Sequence, residues 1–140
     1  MEFREIQQDL FAMDDTYTLA HCISADARMG AGIAVQFRQR FGLEVLQEQA
    51  QQEPLEIGQC YRVGRTLNLV TKAKFSNKPT YSSFTRAVES MRDICVREGL
   101  NQLAMPQIGC GLDRLKWDKV RGIIQDAFAE TDVEIVVCTL

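Results

Sequence analysis

The stretch that decides the fold of this chain is Leu103–Asp113, which reads LAMPQIGCGLD. A short apolar strand runs into Pro106 and then into a loop that contains Gly109 and Gly111, and Asp113 follows directly. A strand that ends in such a loop offers bare backbone N–H groups to an anion, because glycine lets the backbone approach a ligand closely. The stretch therefore predicts a phosphate-bearing, nucleotide-derived ligand with Asp113 beside its reactive end.

A second glycine loop, Arg28–Ala34, reads RMGAGIA and leads into a helical pattern. Gly30 and Gly32 permit close approach of the backbone, and the N-terminal end of the following helix favours an anion. Taken alone, the pattern is equally well explained by a tight turn, since it lacks the third glycine of the dinucleotide fingerprint and the Walker lysine. Two such loops on one sheet favour a diphosphate clamp.

Strand-like and helical patterns alternate along the chain. Strands are predicted at Glu2–Gln7, Tyr17–Ile23, Cys60–Val63, Thr66–Thr71, Leu100–Met105 and Val133–Thr139, and helices at Ala31–Phe41, Thr80–Glu98 and Lys116–Ala129. The polar segment Gln47–Glu53 is predicted to be a helix end followed by an exposed loop. This alternation predicts an α/β sandwich with a mostly parallel sheet, in which ligands bind beyond the carboxyl ends of the strands.

Composition limits the class of protein. The chain has 140 residues, of which 46% are hydrophobic, so we expect one domain over residues 1–140. A net charge of −3 argues against a dedicated nucleic-acid binder. The five cysteines form no CxxC pair and His21 is the only histidine, which indicates free thiols in a reducing compartment and no metal site. The N-terminus resembles no targeting peptide and no apolar run approaches the ~20 residues of a membrane span, so a cytoplasmic protein without membrane contact is predicted.

Four residues are candidates for chemistry or for ligand binding. Lys72 closes the apolar strand TLNLVTK, and near Asp113 it would be able to attack an electrophilic sugar carbon while the aspartate handles protons. Sequence spacing alone favours a solvated lysine at a strand end. Cys110 is an alternative nucleophile, but the only histidine, His21, is predicted to lie inside a strand. Asp9 follows the first strand, where it either binds an adenine amino group or ribose hydroxyl or caps a helix.

Taken together, these motifs resemble a macrodomain of the branch that includes the terminal ADP-ribose protein glycohydrolase. The matching pieces are QDLFA (Gln8–Ala12), LAHCIS (Leu19–Ser24), RMGAGIA, VTK (Val70–Lys72), KPTY (Lys78–Tyr81), MPQIGCGLDRLKW (Met105–Trp117) and the final TDVEIVVCTL. They span nearly the whole chain. The resemblance implies a three-layer α/β/α macrodomain with a mixed, mostly parallel central sheet.

The resemblance also implies that the protein binds ADP-ribose. Asp9 and Leu10 would hold the adenine, and Leu140 would flank the adenosine. The ribose and diphosphate would meet Ser24 and the first loop, at Gly30, Ala31, Gly32 and Ile33. The diphosphate and the distal ribose would be wrapped by the second loop, at Gln107, Ile108, Gly109, Cys110, Gly111 and Leu112.

In this family a lysine attacks the anomeric carbon of the distal ribose and an aspartate resolves the lysine–sugar adduct; the motif match assigns these roles to Lys72 and Asp113. The implied activity is removal of mono-ADP-ribose from glutamate and aspartate side chains of ADP-ribosylated protein, together with deacylation of O-acyl-ADP-ribose, by a monomer without a cofactor. One alternative is a non-catalytic ADP-ribose reader. Another is a hydrolase of ADP-ribosylated thymidine in DNA, whose strand would follow a basic rim of Arg62, Arg65, Lys72, Lys74 and Lys78.

Overall fold

A computed structural model describes residues 1–140 and contains one six-stranded sheet. Its strands are β1 (Glu2–Gln7), β2 (Thr18–Ser24), β3 (Cys60–Val63), β4 (Thr66–Lys72), β5 (Gln102–Met105) and β6 (Glu134–Thr139). Their order across the sheet is β1-β6-β5-β2-β4-β3. All neighbouring strands run parallel except β3 and β4, which form an antiparallel hairpin. The predicted mixed, mostly parallel sheet is confirmed.

Four helices and one short 3-10 helix connect the strands. They are α1 (Ile33–Phe41), α2 (Glu44–Gln52), α3 (Tyr81–Glu98), α4 (Trp117–Phe128) and the 3-10 helix Leu10–Ala12. The prediction for Gln47–Glu53 was wrong, because α2 is a continuous helix through Gln52. The sequence of this helix has no continuous stripe of apolar residues at helical spacing, because Leu46 is its only buried side chain.

The helices cover both faces of the sheet. On one face α3 and α4 bury Phe84, Met91 and Ile124, and on the other face α1 and α2 bury Phe37 and Leu46. Two apolar cores therefore enclose the sheet, which confirms the three-layer α/β/α architecture. None of these helices has the combination of length and apolar character that crossing a membrane requires.

The central strands all end at the same edge of the sheet, since β2, β4 and β5 run parallel. At that edge Ser24 of β2 is in register with Lys72 of β4, and the backbone N–H of Ala25 donates to Lys72 O at 2.8 Å. The segments that leave these three strands carry both glycine loops. The fold thus brings residues that are distant in sequence to one place, as parallel sheets do.

Candidate functional site

A cavity of about 510 Å³ lies at the carboxyl ends of β2, β4 and β5. It is lined by His21–Ser24, by Arg28–Ala34, by Lys72, Phe75 and Lys78, by Pro106–Gly109 and by Gly111–Asp113. Both predicted glycine loops, together with Lys72 and Asp113, therefore border the same space. Its size falls in the range of cavities that hold small ligands and cofactors.

The first glycine loop presents free backbone donors to the cavity. The N–H groups of Gly30, Ala31, Gly32 and Ile33 have no hydrogen-bond partner within the protein, and no side chain caps α1. Gly32 occupies the left-handed region, with φ +62°, as the N-cap of α1. A row of free N–H groups at the start of a helix is a favourable place for an anion.

The second glycine loop presents donors in the same way. The N–H groups of Gly109, Gly111, Leu112 and Asp113 find no partner within the protein. The loop is held in shape by Leu115, whose N–H donates to Gly109 O at 2.8 Å. The two loops come close together, since a Cβ on Gly32 would lie 3.4 Å from Leu112 Cδ1. Donors from both loops are thus available for a ligand with two neighbouring anionic groups.

Lys72 and Asp113 form an ion pair in the cavity. Lys72 Nζ lies 2.6 Å from Asp113 Oδ1, and their side chains are only 13% and 14% exposed. Lys72 is positioned as the last residue of β4, and Asp113 directly follows the second glycine loop. A shielded amine and carboxylate at this distance are able to exchange a proton, which is what a lysine nucleophile requires.

Residues 20–124, three quarters of the chain, match the model of the macro domain family. The chain belongs to the macro domain family. The human protein ADP-ribose glycohydrolase OARD1 is 46% identical over 138 residues, which cover 96% of this chain and 90% of the relative. A bovine protein of the same name has the same identity and coverage.

Solved structures agree with this fold. The macrodomain of Mycobacterium tuberculosis DarG superposes with a TM-score of 0.90 at 21% identity, covering 99% of this chain and 97% of that one. Thermosipho africanus DarTG in complex with ADP-ribose gives a TM-score of 0.78 at 21% identity, covering 92% of this chain and 39% of that one. At 21% identity, the likeness to these two structures establishes that this chain has the macrodomain fold.

Four of the predicted ligand-binding residues of this macrodomain do not line the cavity, namely Asp9, Leu10, Cys110 and Leu140. Asp9 caps the 3-10 helix, where its carboxylate accepts a hydrogen bond from the N–H of Phe11 at 3.0 Å. Leu10 is buried and Leu140 is 94% exposed. An adenine contact at these positions stays a prediction, and it requires a ligand that extends beyond the cavity.

Cys110, the alternative nucleophile, and His21, the histidine that would have to activate it, are both poorly suited to these roles. Burial raises the pKa of the Cys110 thiol to about 11, and its S–H points to Ile108 O at 3.5 Å. Since the thiolate is the reactive form, this cysteine is a poor nucleophile at neutral pH. His21 lies in β2 as predicted, but only one of its ring nitrogens has a partner, because Nδ1 is buried without one.

The proposed basic rim for a DNA strand does not assemble. Arg62 lies in β3 and Arg65 in the hairpin turn, both near the amino end of β4, whereas the cavity lies at its carboxyl end. Both are already engaged: Arg62 pairs with Glu98 at 2.5 Å, and Arg65 donates to Tyr17 O at 2.7 Å. Of the five rim residues, only Lys72 and Lys78 line the cavity.

One cavity residue of the macrodomain, Phe75, was missed from the sequence. It lies in the segment that follows Lys72. The signal in the sequence was an aromatic residue within a turn-forming stretch, KFSNKP. No group of three or more His, Cys, Asp or Glu side chains in the chain is arranged to hold a metal ion.

Proposed function

We propose that this macrodomain is an ADP-ribosyl hydrolase that removes mono-ADP-ribose from glutamate and aspartate side chains. The observation that carries the proposal is the 2.6 Å contact between Lys72 and Asp113 inside the cavity that both glycine loops border. The relatives that are 46% identical and named ADP-ribose glycohydrolase support a hydrolase. The ADP-ribose complex of a structural relative supports the ligand.

The diphosphate of ADP-ribose suits the two glycine loops. Its two phosphates would accept hydrogen bonds from the free N–H groups of Gly30–Ile33 on one side and of Gly109, Gly111 and Leu112 on the other. Backbone donors of this kind favour negative charge without a basic side chain at each phosphate. A diphosphate bound there would direct the distal ribose toward Lys72 and Asp113, which border the same cavity.

The first chemical step is attack by Lys72. Asp113 Oδ1 accepts a proton from the Lys72 ammonium, which leaves a neutral amine beside a protonated carboxyl. The amine attacks the anomeric carbon of the distal ribose, forming a C–N bond while the bond to the ester oxygen breaks. The electron pair of that bond goes to the leaving carboxylate, which takes the proton from Asp113.

The second step is hydrolysis of the lysine–sugar adduct. Asp113, again a carboxylate, removes a proton from a water molecule that attacks the anomeric carbon as the C–N bond breaks. The proton then returns from Asp113 to the Lys72 amine, which restores the starting ion pair. Over the two steps, the ADP-ribosyl ester and one water molecule are converted into a carboxylic acid and ADP-ribose. The reaction therefore needs no cofactor. The same chemistry extends to O-acyl-ADP-ribose, in which an acyl group is likewise joined to the ribose through oxygen.

The test is release of ADP-ribose from glutamate-linked mono-ADP-ribosylated protein by the wild type, Lys72→Ala and Asp113→Ala. We expect the wild type to release ADP-ribose and each variant to lose at least about 100-fold in rate, since removal of a nucleophile or proton-transfer group has effects of that order. Calorimetry with free ADP-ribose should give similar Kd values for all three proteins, because the glycine loops are unchanged.

Three other results would change the proposal. Tight ADP-ribose binding without release from any substrate would indicate the non-catalytic reader. Release that survives Lys72→Ala would exclude the lysine as nucleophile. DNA that carries ADP-ribosylated thymidine is tested as a second substrate. Release of ADP-ribose from this DNA alone would mean that the enzyme acts on a modified base and not on acidic side chains.

A further inference from the structure

Two exposed side chains lie over one another at the cavity. The guanidinium carbon of Arg28 is 4.4 Å from the centre of the Phe75 ring, and both residues line the cavity. Phe75 is 53% exposed, although aromatic side chains of that size are usually more buried. A cation–π contact of this kind is favourable and holds the cation at a fixed place.

Arg28 is the cavity cation that has no anionic or carbonyl partner. Lys72 pairs with Asp113, and Lys78 Nζ donates to Leu112 O at 2.6 Å. The Arg28 guanidinium makes neither a hydrogen bond nor an ion pair within the protein. It contacts the ring of Phe75, and its charge contributes to the lowered pKa of the Asp26 carboxyl. Its N–H donors are therefore available to a bound molecule.

The backbone holds Arg28 in this position at a cost in strain. Its neighbours Ala27 and Met29 both adopt positive φ, 52° and 47°, and both are buried. Such a conformation is unfavourable by about 1–2 kcal/mol for each non-glycine residue. Gln47 Nε2 donates to Arg28 O at 2.9 Å, and the N–H of Arg28 lies 3.4 Å from Asp26 Oδ1. The loop is thus fixed on both sides of the arginine.

Phe75 is fixed through the same aspartate. The N–H of Phe75 donates to Asp26 Oδ2 at 3.2 Å. The turn that carries it is closed by two bonds, from Lys74 N–H to Asn77 Oδ1 at 3.0 Å and from Asn77 N–H to Lys74 O at 2.9 Å. Asp26 therefore joins the segment that carries Arg28 to the segment that begins directly after Lys72.

We propose that Arg28 and Phe75 form an acceptor wall, which recognises the carboxyl group to which ADP-ribose is attached; this inference rests on the hydrolase proposed above. In that reaction the leaving group is a carboxylate, and a guanidinium binds a carboxylate through two parallel N–H donors. Contact with the Phe75 ring occupies none of the guanidinium N–H groups in a hydrogen bond, so they stay free. Arg28 stabilises the charge that develops on the leaving oxygen, and Phe75 holds Arg28 in place.

The experiment compares attached and free ADP-ribose. Rates of release from a glutamate-linked mono-ADP-ribosyl peptide and Kd values for free ADP-ribose are measured for the wild type, Arg28→Gln, Arg28→Lys and Phe75→Ala. Arg97→Gln and Val96→Ala are matched controls, because both residues are exposed on α3 and do not line the cavity. DNA that carries ADP-ribosylated thymidine is the second substrate.

We expect Arg28→Gln to lower kcat/KM for the peptide about tenfold, with Kd for free ADP-ribose within about twofold of the wild type, since the lost bond is charge-assisted and made only to the acceptor. The kcat/KM of Arg28→Lys should fall between those of the wild type and Arg28→Gln, because lysine retains the charge but not the planar fork of donors. Phe75→Ala should reduce kcat/KM by about threefold through loss of the cation–π contact. Both controls should match the wild type.

Several results would overturn the inference. Equal losses in peptide release and in affinity for free ADP-ribose would make Arg28 a phosphate ligand. Unchanged values in every variant would remove any role for the pair. A larger loss on the DNA substrate than on the peptide would mean that the wall recognises a base. Failure of the wild type on both substrates despite ADP-ribose binding would refute the hydrolase itself, and that failure is visible without any variant.

Discussion

Burial determines the protonation state that His21 keeps. Its ring stacks on Phe37 at 3.9 Å between centres, and its Nε2 lies 2.5 Å from Asn68 Oδ1. The amide nitrogen of Asn68 donates to Tyr61 O at 3.0 Å and to Thr66 Oγ1 at 3.1 Å, so its oxygen faces the histidine. His21 therefore carries its proton on Nε2. Burial lowers the pKa of His21 to about 4, and the hydrogen bond that His21 donates to Asn68 opposes this only in part.

This histidine makes the protein less stable as the pH falls. An unfolded chain takes up the proton near pH 6.5 and the folded chain only near pH 4, so protons bind the unfolded state first and acidification favours unfolding. We expect the free energy of unfolding to drop by about 2 kcal/mol between about pH 7 and about pH 5, above the range where most carboxyl groups titrate. Urea denaturation at both values measures the drop.

The variant His21→Gln is the control for this prediction. It has no group that titrates in that interval, so its free energy of unfolding should change much less between the two pH values, even if the variant is less stable overall. An equal drop in the wild type and in His21→Gln would assign the effect to other groups.

At the scale of single residues, the sequence identifies groups more readily than their environments. Lys72 and Asp113 are 41 positions apart, and spacing alone favours a solvated lysine; the family resemblance, not the spacing, pairs them. The buried Nδ1 of His21 was not predictable, because it depends on packing by Phe37 and on the orientation of Asn68. Phe75 was missed because its contact, Arg28, lies in another segment of the chain.

Within the second glycine loop, the two glycines differ in what they require. Gly109 has φ +74°, and an added Cβ would lie 3.0 Å from Leu115 Cδ1 and 3.3 Å from Phe84 Cε1. Gly111 does not have a positive φ, and a Cβ there would meet no atom within 4 Å. Only the first position needs glycine for the fold itself.

Alanine substitution at these two positions is therefore a matched pair. We expect Gly109→Ala to lower the free energy of unfolding by about 1–3 kcal/mol, from backbone strain together with crowding in a packed region. Gly111→Ala should change it by less than about 0.5 kcal/mol, as substitutions without strain or clashes usually do. Urea denaturation of both variants without ligand is the measurement. Equal losses at both positions would refute the assignment.

At the scale of helices and strands, prediction succeeded where the apolar pattern was strong. All six strands were predicted to within two residues at each end, and α1, α3 and α4 likewise. The helix α2 was missed because its sequence, EVLQEQAQQ, has no continuous apolar face. The order of strands in the sheet does not follow from periodicity, since it depends on pairings such as β1 with β6, which lie at opposite ends of the chain.

For the whole molecule, the two ends of the sheet have different roles. At the end away from the cavity, Arg65 ties the hairpin to the segment before β2 through bonds to Met13 O at 3.0 Å, to Asp14 O at 2.7 Å and to Tyr17 O at 2.7 Å. At the cavity end, the two glycine loops keep eight backbone N–H groups without a partner in the protein. The sheet is thus a rigid support with one anchored end and one end that is open to ligand.

This asymmetry predicts where ADP-ribose changes hydrogen exchange. Because the free N–H groups of both glycine loops are the proposed diphosphate donors, the ligand should slow exchange in peptides that cover residues 29–34 and 107–113 together. Exchange in peptides that cover Met13–Tyr17 and Arg65 should stay unchanged, since their bonds lie at the opposite end of the sheet. Protection near Asp9 and Leu140 would support the predicted adenine contacts outside the cavity. Exchange followed by mass spectrometry with and without ADP-ribose separates these regions, and protection of only one glycine loop would contradict a clamp built from both.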